Sequence, residues 1–282
     1  MCRLFGFKSI ILSQVHKSLL EADNALGTQS IKNPDGWGVA YYIGDTPHLI
    51  KSDTSAITCD IFKKVSGVVS SHNVIAHIRK STIGSHSILN THPFQFGKWV
   101  FAHNGNIKDY KNHKDKLLGL VSQQLKKYIL GDTDSELIFF IILSFMDKMV
   151  GLENSYMLRA SVIDSIRLAI REIINVVGPY SKIDNNGEHE TYLTFILSNG
   201  NTMIAFRGGK DLHYSTYKNK CAERDTCSSF APFCEAAPTD GSINHLIFSS
   251  EPLSGENVWH KMENNQIIAT DHRMKISIID EK

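Results

Sequence analysis

The chain of 282 residues is short of several features that mark other protein classes. It has no long apolar run. The longest, Leu137 to Leu143, is far below the length a membrane span needs, and no apolar core of secretory-signal length follows a basic start. Charge of one sign is also missing. Lys and Arg total 30 against 29 Asp and Glu, a net charge of +1, so no bulk field draws the chain towards nucleic acid or an anionic membrane. No Gly-x-Gly-x-x-Gly and no P-loop occurs, so no nucleotide site is indicated and no cofactor is called for. Ser249 and Ser250 lack a Gly-x-Ser-x-Gly setting, which argues against a serine hydrolase. Cysteine numbers 5, an odd count without an export signal, and reads as reduced thiols in a cytoplasmic protein. Cys221, Cys227 and Cys234 are five to six residues apart rather than in close pairs, so no metal site is expected. No linker, repeat or low-complexity segment divides the chain, which is read as one domain over 1–282.

What is present begins at the first residues, Met1-Cys2-Arg3-Leu4-Phe5-Gly6. An initiator methionine is normally trimmed before a small side chain such as cysteine. Cys2 would then carry a thiol and a free α-amine. A thiol titrates near about 8.5 and an α-amine near about 7.7, so one residue can supply both nucleophile and base. Arg3 to Leu12 reads as a strand rather than a loose tail.

Further along, Ser13 is expected to cap a helix with Val15, Leu19, Ala22 and Leu26 on one face. Asn33-Pro34-Asp35-Gly36 is a turn, followed by strand Trp37–Tyr42, with Leu49 to Lys51 pairing back. A helix is expected over Ser55–Val65 with Ile57, Ile61, Phe62 and Val65 inward, then a strand over Val74–Arg79. Strand Trp99–His103 is expected to run into an Asn104-Gly105 turn of positive φ. Thr133-Asp134-Ser135-Glu136 fits a capping box before an all-round apolar helix, and a second helix covers Val162–Val177. The remainder reads as β, with Asn199-Gly200-Asn201 as a hairpin turn and Asp184–Glu190 as a mobile loop.

Several polar residues cluster at element ends. Arg79 suits a bidentate grip on a carboxylate, Asn104 and Gly105 suit donors to an oxyanion, and Asp134 suits an ammonium group. Each has a plainer reading alone: surface arginine, β-turn, helix-dipole compensation. His77, His92 and His103 read by default as core histidines.

Together these pieces resemble the class II glutamine amidotransferases of the N-terminal-nucleophile hydrolase superfamily. Cys2 matches the terminal nucleophile. Ala76-His77-Ile78-Arg79-Lys80-Ser81-Thr82 is similar to the family's His-x-Arg segment, and Asn90-Thr91-His92-Pro93-Phe94 to its Asn-x-His-Pro segment. His103-Asn104-Gly105 matches His-Asn-Gly, and Asp132-Thr133-Asp134-Ser135-Glu136 matches Asp-Thr-Asp-x-Glu. The resemblance implies a four-layer αββα sandwich of antiparallel sheets, an α+β fold. It implies Cys2, Asn104 and Gly105 as catalytic residues, with Arg79, Thr82, Asp134 and His103 on the substrate. Trp37 is either a pocket wall or a core residue.

Two departures, Lys80 after the arginine and the Asn33–Gly38 loop, resemble the stand-alone YafJ-like branch, which includes γ-glutamyl amidohydrolases. The implied ligand is glutamine or another γ-glutamyl small molecule. An ammonia-accepting synthetase partner, a non-enzymatic γ-glutamyl-binding role and a homo-oligomer stay open.

Overall fold

The computed structural model describes residues 2–15, 17–81, 83–153, 159–184 and 190–280. In chain order it begins with β1 (Arg3–Gln14), α1 (Leu26–Gln29), β2 (Trp37–Ile43), β3 (Thr46–Ser52), α2 (Asp60–Val68) and β4 (Ser70–Ile78). Next come β5 (Phe94–Phe96), β6 (Trp99–Asn106), α3 (Tyr110–Leu120), α4 (Gln123–Lys126), α5 (Asp134–Val150) and α6 (Arg159–Val177). The chain closes with β7 (Tyr192–Ser198), β8 (Met203–Phe206), β9 (His213–Ser215), β10 (His245–Ser249), β11 (His260–Lys261), β12 (Gln266–Thr270) and β13 (Ile276–Asp280).

The strands form two antiparallel sheets, one ordered β11-β9-β10-β1-β4-β2-β3 and the other β13-β12-β8-β7-β6-β5. Alternation along each strand gives every sheet two apolar faces. Leu4, Ile75, Val100, Ala102, Ile196 and Phe248 fill the space between the sheets. Phe5, Val39 and Val74 point the other way, under Phe62 and Val65 of α2. Phe101, Phe195 and Phe206 meet Phe139, Ile142 and Ile166 of α5 and α6 on the far side. Helix, sheet, sheet, helix is therefore the order of layers, an αββα sandwich. Helix α5 is buried along most of its length, as its unbroken apolar run requires. Truncating one of its buried phenylalanines to alanine costs about 3–5 kcal/mol.

Some local expectations fail for identifiable reasons. The chain after Ser13 does not start a helix: Ser13 and Gln14 pair with Ser71 and Ser70, so long-range pairing overrides the local spacing. Leu19, in a π-helical turn over Lys17–Glu21, and Leu26, at the start of α1, are buried none the less. The Ser55–Val65 helix breaks into a turn at Ala56–Thr58 and α2, and Ile61 faces out, 57% exposed. Asn104-Gly105 is not a turn. Strand β6 runs through it, with Asn104 opposite Thr194 and Gly105 opposite Leu193. The glycine is needed there for closeness, since a Cβ would lie 2.2 Å from the Tyr192 carbonyl oxygen and 2.5 Å from His103 Nε2. Strands β5, β9 and β11 are too short to announce themselves in sequence. Most of the Asp184–Glu190 loop lies outside the described residues.

Candidate active site

Cys2 leads into β1, two residues before Leu4, whose side chain faces the inter-sheet core. By strand alternation Cys2 shares that face. Its Sγ accepts the Lys80 N–H at 3.2 Å and sits 3.3 Å from the Lys80 carbonyl. Burial pushes the thiol pKa up, against the opposing pull of the Lys80 amide and the Arg79 guanidinium. The resting group is a thiol.

Arg79 follows β4 directly and is buried. Its backbone is locked by the turn before β2: the Arg79 N–H donates to Gly36 O at 2.8 Å and Asp35 N–H donates to Arg79 O at 3.1 Å. Asp35 Oδ2 also accepts the Ser81 N–H at 2.8 Å. The guanidinium Nη2 donates to Ser81 Oγ at 3.0 Å and to the carbonyls of Ser85 and Ile83 at 3.3 and 3.4 Å. Its Nη1 is buried and unpartnered, and among the described residues no carboxylate pairs with it.

A bridge ties this end of the first sheet to the start of α5. Asn90 Nδ2 donates to Ser85 O at 2.9 Å, and Asp132 N–H donates to Asn90 Oδ1 at 3.0 Å. Thr133 caps α5 by accepting the Glu136 N–H at 3.2 Å. Glu136 reaches back beyond the usual partner, accepting from Gly131 N–H at 2.6 Å and Leu130 N–H at 3.1 Å. Asp134, in the first turn, is fully enclosed. Its Oδ2 accepts the Ile107 N–H at 2.6 Å and its Oδ1 the Ser135 N–H at 2.8 Å. Among the described residues no cation pairs with it. Burial pushes its pKa up to about 6 despite those donors.

Ile107 directly follows β6, so Asp134 is fastened to the strand that carries Asn104 and Gly105. Strand β5 pairs only with Trp99–Phe101, which leaves that edge of β6 without a strand partner from Ala102 to Asn106. Asn104 is buried, and alternation with Ala102 turns its side chain towards the first sheet.

His103 faces the other way. Its Nδ1 lies 2.9 Å from Ser135 Oγ and its Nε2 3.0 Å from Tyr192 O, so both ring nitrogens are engaged within the protein. The His77 and His92 rings lie 4.2 Å apart between centroids with their planes tilted by 34°, and burial holds His77 at about 3 and His92 well below 6.5. Trp37 is a core residue. It is fully buried on the outer face of its sheet, edge-on to Phe62 at 5.0 Å. Thr82 lies outside the described residues. Thus Cys2, Arg79, Asn104, Gly105 and Asp134 gather at one end of the sandwich, whereas Trp37 and the His103 ring point into packed layers. Sequence reasoning overlooked Ser135, Asp35 and the Asn90–Asp132 bridge. Ser135 sits inside a recognised motif, but nothing local reveals its link to His103.

Residues 1–279 match the sequence profile of glutamine amidotransferases class-II. The chain belongs to the class-II glutamine amidotransferases. A similar protein of Saccharomyces cerevisiae, the probable glutamine amidotransferase DUG3, is 30% identical over 296 residues, covering 95% of this chain and 81% of its own. The γ-glutamyl-hercynylcysteine sulfoxide hydrolase of Mycobacterium tuberculosis is 30% identical over 117 residues, 38% of this chain and 50% of that one. Among solved structures, a glutamine aminotransferase class-II domain protein of Silicibacter pomeroyi shares the fold at TM-score 0.61 and 16% identity, covering 99% of both chains. As a member of this enzyme family the chain has the N-terminal-nucleophile sandwich, with the family's motif residues at one end of it. Among the described residues of this amidotransferase no three His, Cys, Asp or Glu side chains converge as metal ligands, and no helix is long and apolar enough to cross a membrane.

Proposed function

We propose that this amidotransferase hydrolyses the amide bond of glutamine or another γ-glutamyl compound through Cys2, once Met1 is removed. One observation carries the reading. Arg79 and Asp134 are buried charges of opposite sign, each fixed by the backbone and each without an ion-pair partner among the described residues. A buried guanidinium and a buried carboxyl, neither with an ion-pair partner, are matched by a ligand bearing both a carboxylate and an ammonium, an α-amino acid head. A γ-glutamyl group held by that head directs its γ-carbonyl away from the two charges, towards Cys2 and the open edge of β6.

The Cys2 α-amine takes the thiol proton as Sγ attacks the γ-carbonyl carbon. Asn104 Nδ2 and the Gly105 N–H stabilise the oxyanion, each such donor lowering the barrier by about 2.7–4 kcal/mol. The C–N bond then breaks, and the leaving nitrogen takes the proton from the α-amine. Water attacks the glutamyl thioester, releasing a free γ-carboxylate and restoring the thiol. The Mycobacterium tuberculosis relative, named for the hydrolysis of a γ-glutamyl-hercynylcysteine sulfoxide, supports a leaving group larger than ammonia.

Turnover of a panel of γ-glutamyl compounds, with Met1 removal verified by mass, tests the reading. Release of glutamate by the natural chain and none by Cys2→Ala is expected. An electrophilic glutamine analogue that leaves Cys2 unlabelled would overturn it. A second version, in which ammonia passes to a synthetase partner, draws support from Ile88, Leu89 and Leu130. These are 48%, 49% and 67% exposed and adjoin Asn90 and Gly131 in the chain. In that case a partner raises glutaminase turnover of the purified chain.

A further inference from the structure

Three polar side chains form an unbroken line through the packed layer behind the site: Asp134, Ser135 and His103. We propose that Ser135 is a positioning residue that joins Asp134 to His103, and that in the free protein this line keeps a proton on Asp134 Oδ1, which an arriving ammonium group displaces. The ligand half of this proposal rests on the γ-glutamyl reading; the protonation half does not.

The case is one of counting hydrogens. The Tyr192 carbonyl can only accept, so His103 Nε2, 3.0 Å away, carries a hydrogen. The imidazole is wholly buried, and that burial lowers its pKa to about 4, so at working pH Nδ1 is bare. Ser135 has one hydroxyl hydrogen, for which Nδ1 at 2.9 Å and Asp134 Oδ1 at 3.3 Å compete, and the shorter contact gives it to Nδ1. Ser135 Oγ then offers only lone pairs to Asp134 Oδ1, 3.3 Å distant. Two acceptors facing each other in a buried site repel, unless the carboxyl holds a hydrogen and donates it to Oγ. With that proton in place every group in the line has a partner. The backbone N–H groups of Ile107 and Ser135 still hold the two carboxyl oxygens.

The surroundings favour the same state. Tyr110 of α3 lies within the field of Asp134, Asp132 and Glu136, and its hydroxyl donates to Thr133 O at 3.3 Å. From β6 comes only the neutral His103. When a ligand ammonium reaches Asp134, the carboxyl ionises, its proton leaves to solvent, and the carboxylate accepts N–H donors from the ligand. No bond other than O–H changes.

The decisive measurement is infrared spectroscopy of the free, full-length protein across pH, following the C=O stretch of a protonated carboxylic acid. A band that vanishes in Asp134→Asn is expected, with a midpoint at or above about 6 in the natural chain, because an accepting Ser135 adds to the upward push of burial. Ser135→Ala removes the acceptor of the acid hydrogen, so the midpoint moves to lower pH, and Ser135→Thr restores it. Absence of an Asp134 band, or a Ser135→Ala midpoint that is unchanged or higher, overturns the proposal. A higher midpoint is the result for a hydroxyl that merely donates to a carboxylate. In the second arm, calorimetric titration of Cys2→Ala with glutamine in buffers of different ionisation enthalpy should show proton release approaching one per ligand below the midpoint. Failure of glutamine to bind would count against the γ-glutamyl reading alone, because the infrared arm contains no ligand.

Discussion

The two charged halves of the candidate site are built in opposite ways. Arg79 is held by carbonyl oxygens and a serine hydroxyl, with the Asp35-Gly36 turn gripping its backbone. Asp134 is held by N–H groups, from Ile107 and Ser135. Neither has a counter-ion among the described residues, yet only one of them can give up its charge. A guanidinium stays protonated at any working pH, whereas a buried carboxylate relieves its isolation by taking a proton. On the proposed reading, the carboxylate end of the ligand meets a fixed charge and the ammonium end a titratable one. Recognition at the first end is therefore flat with pH, and at the second it is not.

The sharpest break of that picture is Cys2→Ala, which removes the nucleophile and leaves both halves intact. Turnover should fall by about 10^3-fold or more while glutamine binding persists by calorimetry. Next, Asn104→Ala should lower kcat by about 10^2–10^3-fold with little change in KM, as measured by steady-state glutamate release. Arg79→Met and Asp134→Asn should each raise KM by about 30-fold or more, the cost of leaving a buried ligand charge unpaired. These two are separated by pH. In the natural chain KM rises tenfold per unit as pH falls below about 6. That slope survives in Arg79→Met and disappears in Asp134→Asn.

The smallest effect is on stability. Buried His77 and His92 have depressed folded-state pKa values, so the stability they contribute is present above 6.5 and is withdrawn as pH falls towards those lower values. Asp134, raised to about 6 from 3.8, acts in the opposite sense: its contribution is present below 3.8 and lost as pH rises through about 6. Asp134→Asn should therefore steepen the acid loss of stability between those limits by up to one proton, measurable by denaturant melts at a series of pH values.

Much of this was legible along the chain, for reasons visible in particular residues. The helix opened by Thr133 and Asp134 could be read because a cap, an acidic first turn and an apolar run all act within a few residues. The hairpin at Asn199-Gly200 could be read because Gly200 adopts a positive φ, 86°, that few other residues accept. The Asn104-Gly105 dipeptide misled because the same two residues serve a turn or a crowded strand, and only the Tyr192 carbonyl pressing on Gly105 distinguishes them. Ser13 misled for the same kind of reason, since its partner Ser71 is far away in sequence.

By itself, the sequence determined which family motifs the chain resembles, where α5 and α6 lie, and that candidate charged residues of both signs stand at element ends. Local propensity and short motifs act within a few residues, so they can be read without the fold. Only the tertiary structure decided that Trp37 belongs to the core, that His103 turns away from the inter-sheet face, and that Ser135 lies between Asp134 and His103 of β6. Those outcomes depend on which face of a strand meets which layer, and on contacts between residues 25 to 89 positions apart, a distance over which no local preference operates.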